Sequence, residues 1–141
     1  MIKRLSSVLL VEDDNITNFL NERLINKLNI TDNISIAFNG ADALKYIETV
    51  QNNNLDFPDL IFLDINMPVM DGFDFLKKYD ALSPTLRNNS IVVMLTTSTN
   101  SQDMDNLLYS GNTDFLSKPL TEDKITSIMH KYFTVQSYRI A

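Results

Sequence analysis

Short apolar runs bounded by turn residues alternate along this chain with longer stretches of helical period, and that alternation constrains the fold more than any other feature. The runs are Leu5–Val11, Asn33–Ala37, Leu60–Asp64, Ile91–Thr96 and Thr113–Leu116. Each reads as a strand, and three are continuously apolar, as expected of strands covered on both faces. Between them, Ile16, Phe19, Leu20, Leu24, Ile25 and Leu28 fall on one stripe of a first helix. Ala41, Leu44, Ile47 and Val50 mark a second, Phe75, Leu76, Tyr79 and Leu82 a third, and Met104, Leu107 and Leu108 a fourth. Ile125, Ile128, Met129 and Tyr132 mark a fifth. Asp14 or Asn15, Asn39, Asp71, Asn100 or Ser101, and Thr121 stand where an N-cap oxygen would accept a free backbone N–H, and Gly111 follows the fourth stripe as a helix-ending glycine does. Five strands and five helices in strict alternation describe an α/β fold around a parallel sheet.

The 141 residues suit one core. Gln51–Phe57 and Ser83–Ser90 read as polar surface connections. The stretch after Phe133 is too short for a second domain, so the expected organisation is one domain over residues 1–133 and a tail over 134–141. A formal charge of −6 disfavours direct nucleic-acid binding, which needs a basic face. The absence of Cys removes disulfides, thiolate metal sites and Cys nucleophiles. Gly40, Gly72 and Gly111 are too far apart for a dinucleotide or Walker loop. Near the start, Val8–Val11 is an uninterrupted apolar run of four, too short for a signal core or a membrane span, so a cytoplasmic protein is expected.

Ligands of open parallel sheets bind beyond the carboxyl ends of the strands, so the residues ending each strand matter most. There the sequence places Glu12-Asp13-Asp14, Asp64, Thr96-Thr97-Ser98 and, through Phe115, Lys118-Pro119. Helix capping accounts for Asp14 but not for Asp64, which ends an apolar strand with no helix directly after it. Two carboxylates ~4 Å apart repel by about 4 kcal/mol at an effective dielectric near 20. Gathering Glu12, Asp13 and Asp64 therefore calls for a cation or a retained proton; a hard cation with oxygen ligands is the simpler solution, and Mg²⁺ typically takes one or two carboxylates while keeping several waters. Lys118, its backbone restricted by Pro119, would neutralise an incoming anion, and the Thr96 hydroxyl would hydrogen-bond it. Metal, lysine and hydroxyl around one carboxylate suit phosphoryl transfer, where positioning and charge neutralisation do most of the work.

Four segments then resemble the receiver domain of two-component response regulators: Val8-Leu-Leu-Val-Glu-Asp-Asp14, Leu63-Asp-Ile-Asn-Met-Pro-Val-Met-Asp-Gly72, Met94-Leu-Thr-Thr-Ser98 and Gly111-Asn-Thr-Asp-Phe-Leu-Ser-Lys-Pro119. They stand in the family's order and cover the chain from about Leu5 to Phe133. The resemblance implies a flavodoxin-like (βα)5 three-layer sandwich with strand order 2-1-3-4-5. It implies that Asp64 is a phosphoacceptor for a phosphohistidine on a sensor histidine kinase or phosphotransfer protein. Asp13 and Glu12 would hold Mg²⁺ with Asp64 and the backbone carbonyl of Asn66, and Thr96 and Lys118 would hold the phosphoryl oxygens. Phe115 matches an aromatic switch position, coupled to movement of Thr96. The surface formed by the fourth helix, fifth strand and fifth helix would then dock a downstream protein or a second copy. Departures from the commonest pattern are Thr97, where a smaller residue is usual, and Phe115, where Tyr is frequent; Asn66 and Ser98 match positions that tune phosphoryl lifetime.

The resulting expectation is a stand-alone phosphorylated switch, not a turnover enzyme. Two other classes compete: a receiver-fold interaction module without phosphorylation, and an aspartate-nucleophile phosphatase of the haloacid dehalogenase type. The full set Glu12, Asp13, Asp64, Thr96 and Lys118 opposes the first, and Asn66, where the phosphatase needs a second Asp, opposes the second. Flavin binding suits the fold, but acids stand where the flavin phosphate would lie. His130, off the apolar stripe of its helix, reads as a surface residue, Met67 and Met70 as packing residues, Pro68 and Gly72 as shaping the loop after Asp64, and Asp71 and Asp74 as first-turn helix acids.

Overall fold

The computed structural model describes residues 2–67, 69–82, 89–97 and 112–134. Five strands form one parallel sheet: β1 (Val8–Val11), β2 (Ile34–Ala37), β3 (Leu60–Asp64), β4 (Ile91–Thr96) and β5 (Thr113–Ser117). Their spatial order is β2-β1-β3-β4-β5, the order implied by the resemblance. The helices are α1 (Asn15–Leu28), α2 (Gly40–Asn52), α3 (Gly72–Leu82) and α4 (Glu122–Tyr132). The last is the fifth helix expected from the sequence. The expected fourth, around Met104, Leu107 and Leu108 with its start at Asn100 or Ser101 and its end at Gly111, lies outside the described residues, as do Ser98 and Pro68.

The side-chain alternation of the strands divides the core into two layers. Leu9, Val11, Ile61, Leu63, Val92 and Met94 pack with Ala43 and Ile47 of α2 and Phe75, Leu76 and Tyr79 of α3. On the opposite face Val8, Leu10, Leu60, Phe62, Val93 and Leu95 pack with Ile25 of α1 and Ile125, Ile128 and Met129 of α4. Fully burying such a Leu, Ile or Phe is worth about 1.5–3 kcal/mol. The helix starts are capped as expected, with Asp14, Asn39 and Thr121 accepting from the N–H groups of Thr17, Asp42 and Lys124. Asp71 Oδ1 likewise accepts from Asp74 N, 2.9 Å away. Among the described residues no helix is long and apolar enough to cross a membrane.

Two expectations need correction. The first strand begins at Val8, not Leu5: Leu5 makes an isolated bridge with Thr31, and the next backbone N–H, of Ser6, turns to Asp59 Oδ2 at 2.7 Å. The stripe drawn for α1 holds in its second half, where Ile25 is buried and Leu24 and Leu28 pack against the same core, and fails in its first. Ile16, Phe19 and Leu20 are 70%, 58% and 53% exposed, whereas Asn18, Asn21 and Ile25 face inward. In the first turns of the helix asparagines, not the apolar residues, face the sheet. A smaller departure lies at the end of α3, where Leu82 is exposed.

Candidate phosphoacceptor and metal site

Strand register brings the strand-end residues together. Val11 lies opposite Leu63, so Glu12 follows at the level of Asp64. Asp64 lies opposite Leu95, which puts Thr96 one step further along β4, and Thr96 lies opposite Ser117, which leads directly to Lys118. The Lys118 N–H donates to the Thr96 carbonyl at 2.9 Å, and the Lys118–Pro119 bond is cis. Each expected group thus reaches the same edge because its strand ends there.

Glu12, Asp13 and Asp64 each offer a carboxylate oxygen, and these oxygens lie within 4.8 Å of one another. Glu12 and Asp64 are buried and Asp13 is exposed, so the cluster opens to water on one side. Lys118 Nζ is 2.8 Å from Asp64 Oδ1 and 3.5 Å from Glu12 Oε2. The second distance is long for a hydrogen bond. Glu12 Oε2 is accordingly buried without a hydrogen-bond partner among the described residues. One lysine therefore faces three acids, and the charges do not balance.

The consequence is visible in proton affinity. Burial first, then the hydrogen bond and charge of Asp64, with Asp13 adding, push the Glu12 carboxyl up to about 8 against the opposing pull of Lys118. At Lys118 burial alone would lower the ammonium's pKa, but the hydrogen bond and charge of Asp64, followed by Glu12, turn the shift upward. Without a cation the cluster lowers its charge by keeping a proton on Glu12. An all-oxygen donor set with one buried orphan lone pair and one open side fits a hard divalent ion.

The surroundings hold Asp64 in place. The backbone N–H of Asn66 donates to Asp64 Oδ1 at 3.2 Å. Gly72 N–H donates to the Ile65 carbonyl at 2.9 Å, and a Cβ on Gly72 would stand 2.8 Å from the Asp64 carbonyl oxygen. Only glycine lets α3 start so close to the Asp64 backbone. Val69, in the same loop, is 89% exposed with φ of 69°, an uncommon and strained conformation for a β-branched residue. Thr96 is buried at the rim, Thr97 is exposed, and Phe115 is half-buried against the α2–α3 layer. His130 is exposed, as expected.

Sequence reasoning missed Asn18. It is 2% exposed in α1, and its Nδ2 donates to the Glu12 carbonyl at 2.9 Å. The available signal was weak: a polar residue one turn beyond the Asp14 cap and six positions from a strand-end acid, in a helix that also carries other asparagines.

Comparison with known proteins supplies the context. The family model described as response regulator receiver domain matches residues 8–130. A two-component response regulator of Arabidopsis thaliana is 30% identical over 132 residues, covering 93% of this chain and 87% of its own. The chain spans a tenth or less of the length of several histidine kinases that it also matches. The crystal structure of a two component response regulator from Cytophaga hutchinsonii superimposes with a TM-score of 0.84 at 29% identity, covering 92% of this chain and 97% of its own. The receiver domain of a Pseudomonas aeruginosa sensor histidine kinase, solved with a magnesium ion coordinated in its active-site cleft, superimposes at 0.72 with 24% identity. There the match covers 90% of this chain and 96% of the other.

Proposed function

The chain belongs to the response regulator receiver domain family, and from that premise we propose that Asp64 takes a phosphoryl group from a phosphohistidine and so switches a protein-binding surface. One observation carries this reading: Asp64, buried at the end of a central strand, is held by Lys118 Nζ at 2.8 Å among acids that a single lysine cannot neutralise. An Asp64 oxygen attacks the phosphorus, its lone pair forming the new O–P bond. The electrons of the breaking P–N bond return to the donor's imidazole nitrogen, which takes up a proton. The product is an acyl phosphate with about −1.5 to −2 charges on the phosphoryl group, in place of the carboxylate's own charge. Lys118 and the Thr96 hydroxyl hold phosphoryl oxygens that Asp64 has brought to the edge.

Glu12, Asp13, Asp64 and the backbone carbonyl of Asn66 would hold Mg²⁺. When bound, the ion neutralises developing charge on the phosphoryl oxygens. Phosphorylation draws Thr96 toward the phosphoryl group and turns the Phe115 ring further inward, changing the surface beside β5 and α4 that meets a downstream protein or a second copy. The protein is a phosphoacceptor and turns over only its own acyl phosphate. The donor is a sensor histidine kinase or a phosphotransfer protein. Ile16, Phe19 and Leu20 of α1 are exposed, and Leu20 with Leu24, Leu95, Pro119 and Leu120 lines a cleft of about 390 Å³ that reaches Lys118. That apolar area suits a protein donor better than a free nucleotide.

Incubation with Mg²⁺ and a small acyl phosphate, followed by intact mass, tests the reading. The wild type gains one phosphoryl group only with Mg²⁺, and Asp64→Ala gains none. No Mg²⁺-dependent gain across several donors, or an equal gain in Asp64→Ala, overturns it. Steady phosphate release from many monoesters would instead identify a phosphatase.

A further inference from the structure

We propose that Asn18 is a positioning residue for the divalent cation at the Asp64 site, acting through the main chain that carries Glu12 and Asp13. The inference rests on the function proposed above.

The face of α1 turned to the protein carries two buried asparagines, while Ile16, Phe19 and Leu20 of the same helix stand in water. Burial of apolar area would favour the reverse arrangement. Asn18 is costly where it stands, because its Oδ1 is buried without a hydrogen-bond partner among the described residues. The other end of the amide has a defined task. Asn18 Nδ2 donates to the Glu12 carbonyl at 2.9 Å. That carbonyl belongs to the peptide unit joining Glu12 to Asp13, just past the last paired residue of β1, Val11.

The Glu12 N–H is held on the other side, donating to the Ala37 carbonyl of the β2 end at 3.0 Å. Both main-chain polar groups of Glu12 are therefore fixed, one from the sheet and one from α1. Fixing this peptide plane sets ψ of Glu12 and φ of Asp13, and with them the directions in which the two carboxylates leave the chain. Asn18 is itself seated by its backbone, whose N–H donates to the Asp14 carbonyl at 3.0 Å, while Asp14 caps the helix through Thr17 N. The turn from β1 into α1 is thus one bonded unit running from Glu12 to Asn18. Outer partners that orient metal ligands typically change affinity 10–100-fold when removed.

Asn18→Leu keeps the shape, removes the orphan acceptor and deletes the donor. Titration with Mn²⁺ alone, reading free ion by electron paramagnetic resonance, is run beside thermal denaturation in EDTA. The expected result is a denaturation midpoint at or above that of the wild type and Mn²⁺ binding weakened about 10-fold. The Mg²⁺ concentration that half-saturates phosphorylation rises in parallel, while the rate at saturating Mg²⁺ stays within a few-fold. Asn18→Asp, which presents an acceptor to the Glu12 carbonyl, weakens the ion equally and serves if the leucine variant does not fold. Mn²⁺ affinity within two-fold of wild type in either folded variant overturns the proposal and leaves the proposed function intact. A wild type that takes up neither Mn²⁺ nor a phosphoryl group overturns both.

Discussion

Two ion pairs sit at opposite ends of the strands of one sheet, and they differ in everything but the bond between them. Near the amino ends, Arg4 grips Asp32 with both terminal nitrogens, at 2.6 and 2.7 Å, and turns its remaining donors to the carbonyl and side chain of Asn29. Both partners are well exposed, and the hydrogen bond and charge each provides raise the arginine's proton affinity and lower that of the aspartate. At the carboxyl ends, Lys118 reaches Asp64 at 2.8 Å, but a second buried acid, Glu12, shares the same cation and the exposed Asp13 stands beside both acids. The first pair has good geometry and complete partners, yet in water it counts for little. The second is poorly balanced and buried, which makes it costly to the fold and reactive toward ions. Charge that the fold leaves unbalanced is the better indicator of chemistry.

The largest effect should come from pH. Glu12 releases its proton near 4.5 in the unfolded chain and at about 8 in the folded one. Across that window the folded state holds a proton that the unfolded state has lost, so raising the pH drives unfolding. Denaturant titrations in EDTA should lose a few kcal/mol of stability between those limits. The slope should flatten in Glu12→Gln and with Mg²⁺; an identical slope in Glu12→Gln would separate the cluster from the pH response.

Lys118→Met removes the sole cation facing the acids among the described residues. It should cost about 3 kcal/mol in EDTA, the range for breaking a buried pair. Calorimetry should at the same time find Mg²⁺ bound several-fold tighter, because the ion inherits the lysine's role. The equivalent change at the other edge, Arg4→Met, should leave the denaturation midpoint almost where it was, and more so in high salt. A large loss there would abolish the contrast between the two edges.

Much of this arrangement was legible in the sequence. The apolar runs of β1, β3 and β4 identified central strands, and what followed them identified the edge where Glu12, Asp13, Asp64, Thr96 and Lys118 meet. Strand order was not legible from periodicity, since any permutation of five apolar strands satisfies the same pattern; it came from the resemblance to receivers. The first half of the α1 stripe was misread because its exposed side is apolar at Ile16, Phe19 and Leu20, while Leu24, Ile25 and Leu28 pack as expected. The start of the helix is held by the Asp14 cap and by the bond from Asn18 to the Glu12 carbonyl, and a hydrophobic count does not see a hydrogen bond. The left-handed conformation of Val69 was equally hidden, because a β-branched residue is a poor signal for it.

The bridge between Ile2 and Thr134, with Lys3 N–H donating to the Phe133 carbonyl at 2.7 Å, ties the two ends of the described fold side by side. They meet beside Asp59 and Ile91, where β3 and β4 begin, a full strand length from Asp64. A unit whose entry and exit are adjacent, and both remote from the edge that carries Asp64, can be spliced into a longer polypeptide without blocking that edge. The same topology therefore suits use as an insert, with the edge that carries Asp64 pointing away from the splice.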